Sequence, residues 1–390
     1  MKKKVIVVGA GAIGMSIAYE LTTRGAEVTV VERDPVFQSR KSSVRRSASA
    51  WAASGILPPA NFDSATDPID QLRGLSHRLF PKWASQLIDQ TGIDCELERC
   101  GGWYLADTPG EIASMMGMVH YWQDLAIDCE PRSLEQLAAV QPSLKHWTER
   151  AANAKAWWVP DEYQIRTTRY LNALASACEA NGATLIDDAK VVDVVEHHQA
   201  GTVNVVATRS GETVSWEGDQ VVVCGGSWTG LVSPRLKLAQ SIIPVRGQIL
   251  LLNGGKRDLS SVVNFGNRYL VPRKDGLVLV GSCEEEVGLQ HGTTPAVLHD
   301  LRKFVADICP ALSHAVQVTA WSGLRPMTFD GFPMFGKLPD SQSIYVAAGH
   351  YRSGIHLSPG TAVCLADLMF DQQPPLEVQP FSVGKQQQHI

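Results

Sequence analysis

The sequence has no uninterrupted apolar run of about 18 residues, the length needed to span a bilayer, and no tandem repeat or low-complexity tract beyond its glutamine-rich tail. Its eight cysteines (Cys95, Cys100, Cys129, Cys178, Cys224, Cys283, Cys309 and Cys364) never fall in a C-x-x-C spacing. That argues against a zinc site or a dithiol redox centre, and reduced thiols in a cytoplasm are the simple expectation. Charge is sparse as well: 19% of residues are charged, and 35 basic against 40 acidic side chains leave a net −5 with no basic block. No nucleic-acid partner is expected from that balance. The lysines at 2–4 precede an apolar run as in a secretory leader, but that run holds three glycines of a turn and gives way to Glu20 and Arg24. A cleaved leader is therefore not expected.

What is present is the content of a globular α/β protein. With 44% apolar residues in 390, the chain is too long for one ordinary core, and two domains are predicted. The beginning is the most informative stretch. Val5 to Val8 form a β-branched run typical of a parallel strand covered on both faces, and Gly9, Gly11 and Gly14 follow in the spacing G-x-G-x-x-G. The first glycine permits a tight turn, the second a close approach of backbone to a pyrophosphate, and the third close packing of helix on strand. First-turn N–H groups at Ala12 and Ile13 then face the phosphates with the positive end of the helix dipole. Gly25 closes the helix, and the strand Glu27–Val31 leads to Glu32, placed to accept from a ribose 2′-hydroxyl. These residues predict FAD or NAD rather than NADP, with Arg33 adjacent.

Further along, Arg40 to Pro59 is rich in small and basic residues, where Ser54, Gly55 and Ile56 can lie against a flat ligand and Arg45 or Arg46 can neutralise a pyrophosphate. A solvated basic loop is the alternative. Residues 67–150 read as mainly helical, with Trp83, Trp103 and Trp122 as core. Trp157 to Tyr163 reads as strand and turn, and Arg169 to Asn181 as an amphipathic helix. Short strands follow, including Val191 to Val195. The buried run Gln220 to Cys224 ends at Gly225-Gly226-Ser227-Trp228, a second place where backbone can approach a dinucleotide. From Ile242 to Ala320 alternation and turns predict a mixed antiparallel sheet, with a helix from Pro295 to Ile308. Near the end, a strand to Gly349 runs into His350-Tyr351-Arg352-Ser353-Gly354, and Ser358-Pro359 predicts a helix start whose dipole can face a flavin.

Together these segments resemble the amine-oxidising flavoproteins related to D-amino-acid oxidase and sarcosine oxidase, and among them most closely the glycine oxidases. The resemblance rests on the N-terminal turn with Glu32, on Ala53 to Pro58, on Pro244-Val245-Arg246-Gly247-Gln248 and on Tyr269-Leu270-Val271-Pro272-Arg273. Its most specific parts are Gly323-Leu324-Arg325-Pro326 with Asp330-Gly331, and Ala348 to Ile355. It implies an oxidoreductase with noncovalent FAD and a Rossmann-like FAD-binding domain at 1–85, 148–235 and 322–390. A substrate domain built on a mixed sheet is implied at 86–147 and 236–321. It also implies oxidation of a glycine-like, D- or N-methyl amino acid to a 2-oxo acid plus ammonia or amine, with oxygen reduced to hydrogen peroxide.

By this resemblance Arg325 pairs the substrate carboxylate, Tyr269 adds a hydrogen bond to it, and Arg352 lies beside the flavin. The implied cofactor contacts are Gly9, Gly11, Ala12, Ile13, Gly14, Glu32, Arg33, Arg45, Ser54, Gly55, Ile56, Val191, Gly225, Trp228, Arg325 and His350 to Ile355. Glu284 departs from the glycine oxidases, which have an apolar pocket residue there, and an acid at that place can select a basic or larger amine. No cysteine matches the site of covalent flavin. Three alternatives stay open: a D-amino-acid dehydrogenase passing electrons to a quinone or carrier, an NAD-linked dehydrogenase, and a flavin-binding protein without turnover. Oligomeric state is not readable.

Overall fold

The computed structural model describes residues 2–37, 47–151, 153–255 and 259–384. Two sheets carry the chain. The smaller has six strands in the order Met334–Lys337, Ile344–Ala348, Gln220–Val223, Lys4–Val8, Glu27–Val31 and Thr184–Ile186. All neighbours are parallel except at the edge strand Met334–Lys337. Its strands Lys4–Val8, Glu27–Val31 and Gln220–Val223 are β-branched runs because both faces are covered. Helices Ala12–Thr23, Pro68–Thr91, Thr167–Ala180 and Ser358–Met369 pack on one face. A three-stranded antiparallel sheet, Ala189–His197, Thr202–Arg209 and Glu212–Gly218, covers the other.

The larger sheet has eight strands, in the order Val316–Met327, Ile243–Asn253, Leu277–Gly281, Arg268–Pro272, Val262–Phe265, Gly102–Ala106, Lys155–Val159 and Glu130–Arg132. It is antiparallel throughout except where Val262–Phe265 lies parallel to Gly102–Ala106. Helix Pro295–Ile308 and the short helices Leu134–Val140 and Lys145–Arg150 bury one face of it. Among the described residues no helix is long and apolar enough to cross a membrane.

Residues 67–150 are mainly helical, as expected, and two strands of the larger sheet, Gly102–Ala106 and Glu130–Arg132, lie between those helices. Gly101 and Gly102 look like a helix break, yet they are glycine for space: an added Cβ would meet the Trp158 ring at 2.0 Å and the Glu162 carboxylate at 2.3 Å, respectively. Strand Lys155–Val159 pairs in the larger sheet with Gly102–Ala106 and Glu130–Arg132. Drawn by sheet membership, we propose that the second unit takes in 155–159 and most of Val316–Met327.

Candidate active site

A cavity of about 610 Å³ lies between the carboxyl ends of the parallel strands and the face of the larger sheet opposite its helices. Open α/β sheets bind ligands at such strand ends. One end of the cavity is lined by Val8, Gly9, Gly11, Ala12, Ile13, Gly14, Val31, Glu32 and Arg33. Gly9 holds φ +106°, and a Cβ there would sit 2.4 Å from the Cys224 carbonyl oxygen. A Cβ on Gly14 would sit 1.9 Å from the Gly9 carbonyl oxygen. Both glycines are therefore required by packing before any ligand is considered. Gly11 is extended at the helix N-cap, and no side chain caps the helix.

Glu32 is buried and accepts the Ala10 amide at 2.6 Å and the Asp34 amide at 2.9 Å. Burial raises its pKa despite those two bonds. Each carboxylate oxygen has a second lone pair free for a ribose hydroxyl. Arg33 stacks on Trp228, its guanidinium carbon 4.4 Å from the ring centre, and Trp228 stacks on His291 at 5.4 Å. A buried carboxylate, an uncapped helix N-terminus and a glycine turn on one cavity wall fit the adenosine and pyrophosphate of a dinucleotide.

Of the other expected cofactor contacts, Ser54, Gly55, Ile56, Val191, Gly225, His350, Tyr351, Arg352, Gly354 and Ile355 line the cavity. Ser353 is not among the lining residues; its amide donates to the His350 carbonyl at 2.9 Å. Arg45 lies outside the described residues. Gly55 is glycine mainly for the chain itself, since a Cβ would sit 2.0 Å from the Ile165 carbonyl oxygen. The helix Ser358–Met369 starts as predicted, but Ser358 is inside it rather than capping it, and Ser76 Oγ accepts the Gly360 amide at 3.0 Å. This first turn is spent on helix packing, and Ser358 does not line the cavity. His350 is buried with Nε2 3.1 Å from Thr361 Oγ1, and burial lowers its pKa to about 3.

The other end belongs to the larger sheet. Arg325 lies across Gly247, where a Cβ would sit 2.3 Å from Nη2. Nη1 donates to the Cys283 carbonyl at 3.0 Å and Nη2 to Ser282 Oγ at 2.6 Å. Among the described residues no acid pairs with it. Two of its N–H groups are thus used, and three of the five guanidinium donors are left. Tyr269 lies across Gly281 in the same way, a Cβ there falling 2.4 Å from its hydroxyl oxygen. Gly247 and Gly281 give up side chains so that a long arginine and a tyrosine can lie flat over the strands beneath.

Arg352 is engaged otherwise. Its Nη2 sits 2.6 Å from Glu284 Oε1, and Tyr351 donates to the same oxygen. Burial pushes the Glu284 carboxyl up, but these hydrogen bonds outweigh it and hold the pKa below the usual value. Glu284 is absent from the cavity wall. Its charge is already matched, so selection of a basic amine by Glu284 does not follow. Cys283, which does line the cavity, has its thiol pushed up to about 11 by burial and by Glu285.

Sequence reasoning passed over Ser282, Cys283 and Asn264, all on the wall. Asn264 had a legible signal, a lone polar residue inside the apolar strand Val262-Val263-Asn264-Phe265. Ser282 and Cys283 had none, because only the fold of the sheet brings their loop against Arg325.

Comparison with known proteins agrees with this geometry. The model of the FAD dependent oxidoreductase family matches residues 4–368. Glycine oxidase of Pseudomonas aeruginosa is 30% identical over 383 residues, covering 98% of this chain and 99% of that protein. The crystal structure of glycine oxidase from Geobacillus kaustophilus superposes with a TM-score of 0.86 at 28% identity, covering 100% of both chains. L-proline dehydrogenase from P. horikoshii shares the fold, with a TM-score of 0.80 at 20% identity over 98% of this chain and 96% of that one. The cofactor is accordingly FAD rather than NAD, and the chain belongs to the FAD-dependent oxidoreductase family of D-amino-acid oxidase.

Proposed function

We propose that the protein is an amino-acid oxidase that converts a glycine-like, D- or N-methyl amino acid to a 2-oxo acid with release of ammonia or amine and of hydrogen peroxide. The observation that carries this reading is Arg325, a guanidinium on the cavity wall with three donors left and no acid among the described residues to pair with it. A planar fork of that kind suits a carboxylate, which a lysine at the same place would hold less specifically. Tyr269, flat over Gly281 on the same face, adds a hydroxyl donor to the bound carboxylate. Arg352 with Glu284 forms a matched pair beside it and shapes the wall.

Bound FAD supplies the acceptor for a hydride from the substrate Cα and the route of its electrons to oxygen. The chain's part is to anchor the carboxylate, orient the Cα–H and leave the amine free of a competing cation. His350, neutral and bonded to Thr361, is not asked to act as a base. The raised thiol of Cys283 and the burial of Cys364 in the last helix support noncovalent FAD, since a thiol rather than a thiolate is a poor nucleophile.

The test is anaerobic mixing of the holoenzyme with glycine, sarcosine, D-alanine, D-proline and larger D-amino acids while flavin absorbance is followed, then admission of air with a peroxide assay. Bleaching by one class with recovery and stoichiometric peroxide is expected. Bleaching without recovery in air would identify a dehydrogenase, and no bleaching by any amine would overturn the reading.

A further inference from the structure

Behind the cavity wall lies a buried acid that the proposed chemistry does not use. Glu162 is fully buried, and a Cβ on Gly102 would sit 2.3 Å from its Oε1. It accepts from Tyr104 Oη through Oε2 and from Asn264 Nδ2 through Oε1 at 3.0 Å. Among the described residues no lysine or arginine pairs with it, and burial pushes its pKa up to about 7 against the two hydrogen bonds. A buried carboxylate held by neutral donors is costly, and a fold that keeps one fixes whatever it touches.

What it touches on the cavity side is Asn264. The Asn264 amide nitrogen donates to Glu162 Oε1 and is therefore turned toward that acid. Its carbonyl oxygen is left as the atom available to a ligand. Strand register places Asn264 beside Tyr104 and Tyr269, Tyr269 beside Gly281, and Gly281 beside Ile249, in one row across the cavity face. Gly247, under the Arg325 guanidinium, lies two residues from Ile249 on the same face. Counting strands at about 4.8 Å each, Asn264 stands roughly 10–14 Å across the sheet from the backbone beneath Tyr269 and Arg325. Glycine is too short to reach both ends.

We infer that Asn264, oriented by the positioning residue Glu162, reads the far end of the substrate, and that the preferred substrate is an amino acid whose side chain or N-substituent ends in a hydrogen-bond donor. This rests on the carboxylate-anchoring role proposed for Arg325. A leucine at 162 has no acceptor for either donor, Tyr104 or Asn264, so it cannot hold the Asn264 carboxamide in one orientation.

The experiment measures binding of non-reacting carboxylates to the holoenzyme by perturbation of flavin absorbance, using acetate, succinamate with a terminal amide, and its apolar isostere pentanoate. In the parent enzyme succinamate is expected to bind roughly 10- to 100-fold more tightly than pentanoate, the range of a hydrogen bond to a buried partner. Asn264→Leu should reverse that preference, and Glu162→Leu should shrink it to within about threefold with acetate binding retained. A parent with no preference, or variants that keep it, would overturn the inference. If Glu162→Leu fails to hold FAD, Asn264→Leu decides alone. Absence of acetate binding by the parent would instead remove the carboxylate site itself, and with it this reading.

Discussion

The two ends of the cavity are built by opposite means. At the nucleotide end the working groups are backbone amides, three glycines and one buried carboxylate, all within 24 residues of chain from Gly9 to Glu32. At the proposed substrate end they are side chains from the strands Val262–Phe265, Arg268–Pro272 and Val316–Met327, of which Tyr269 and Arg325 are laid over glycines of two others. A backbone site has few atoms to spare: Gly14 and Gly9 are fixed by contacts of 1.9 and 2.4 Å that any Cβ would violate. A side-chain site can be changed one group at a time without losing the wall. The first kind conserves a cofactor and the second tunes a substrate.

That contrast can be broken most forcefully at Gly14. Gly14→Val should abolish retention of flavin, because even a methyl there collides with the Gly9 carbonyl, and overpacking costs about 1–3 kcal/mol or more. The ratio of flavin to protein absorbance after purification measures it, and a yellow, stoichiometric variant would show that the turn yields. Next in size is Arg325→Ala, which should keep FAD and raise KM steeply, since loss of a charge-assisted pair to a buried carboxylate costs about 2–5 kcal/mol. Unchanged kinetics would take Arg325 out of the site.

A smaller effect separates the two sheets by acid. Glu285 bridges Arg246 and Gln248 in the larger sheet, with Glu285 Oε1 2.9 Å from Arg246 Nη2. The Arg246 hydrogen bond, against some burial, holds the Glu285 pKa at about 2. Its folded value is below the ordinary 4.5, so the stability it adds is fully present above that pH. It is lost progressively as pH falls toward 2. Glu285→Gln should therefore flatten the decline of thermal midpoint in that window, and an identical decline in both proteins would show that other acids govern it. The smallest effect is expected from Glu284→Gln. Its pair with Arg352 is partly exposed on both sides, at 34% and 43%, and such pairs contribute about 0–1 kcal/mol. A change in KM beyond about fivefold would mean that Arg352 holds substrate directly.

Legibility followed the same divide. The G-x-G-x-x-G turn, its helix and Glu32 could be read because each requirement is local: a turn, a helix start and a strand end within one stretch of chain. Helix Pro295–Ile308 and the strands around Tyr269 were readable for the same reason of period and punctuation. The strand Gly102–Ala106 was missed because Gly101 and Gly102 answer to Trp158 and Glu162, residues more than fifty positions away. Glu284 invited a charge-selection argument that fails once Arg352 and Tyr351 are seen to hold it. Nothing in the local sequence around Glu162 says that its carboxylate will meet Asn264.

By itself the sequence determined the dinucleotide turn and the alternation of elements, because propensity, period and glycine spacing act over a few residues, whereas the roles of Arg325 and Tyr269 are implied by the family resemblance alone. Tertiary structure decided which charges are matched, which glycines serve as floors for longer side chains, and which buried acid orients the wall. Those outcomes depend on register between strands far apart in the chain, and pairing, burial and desolvation exist only once that register is set.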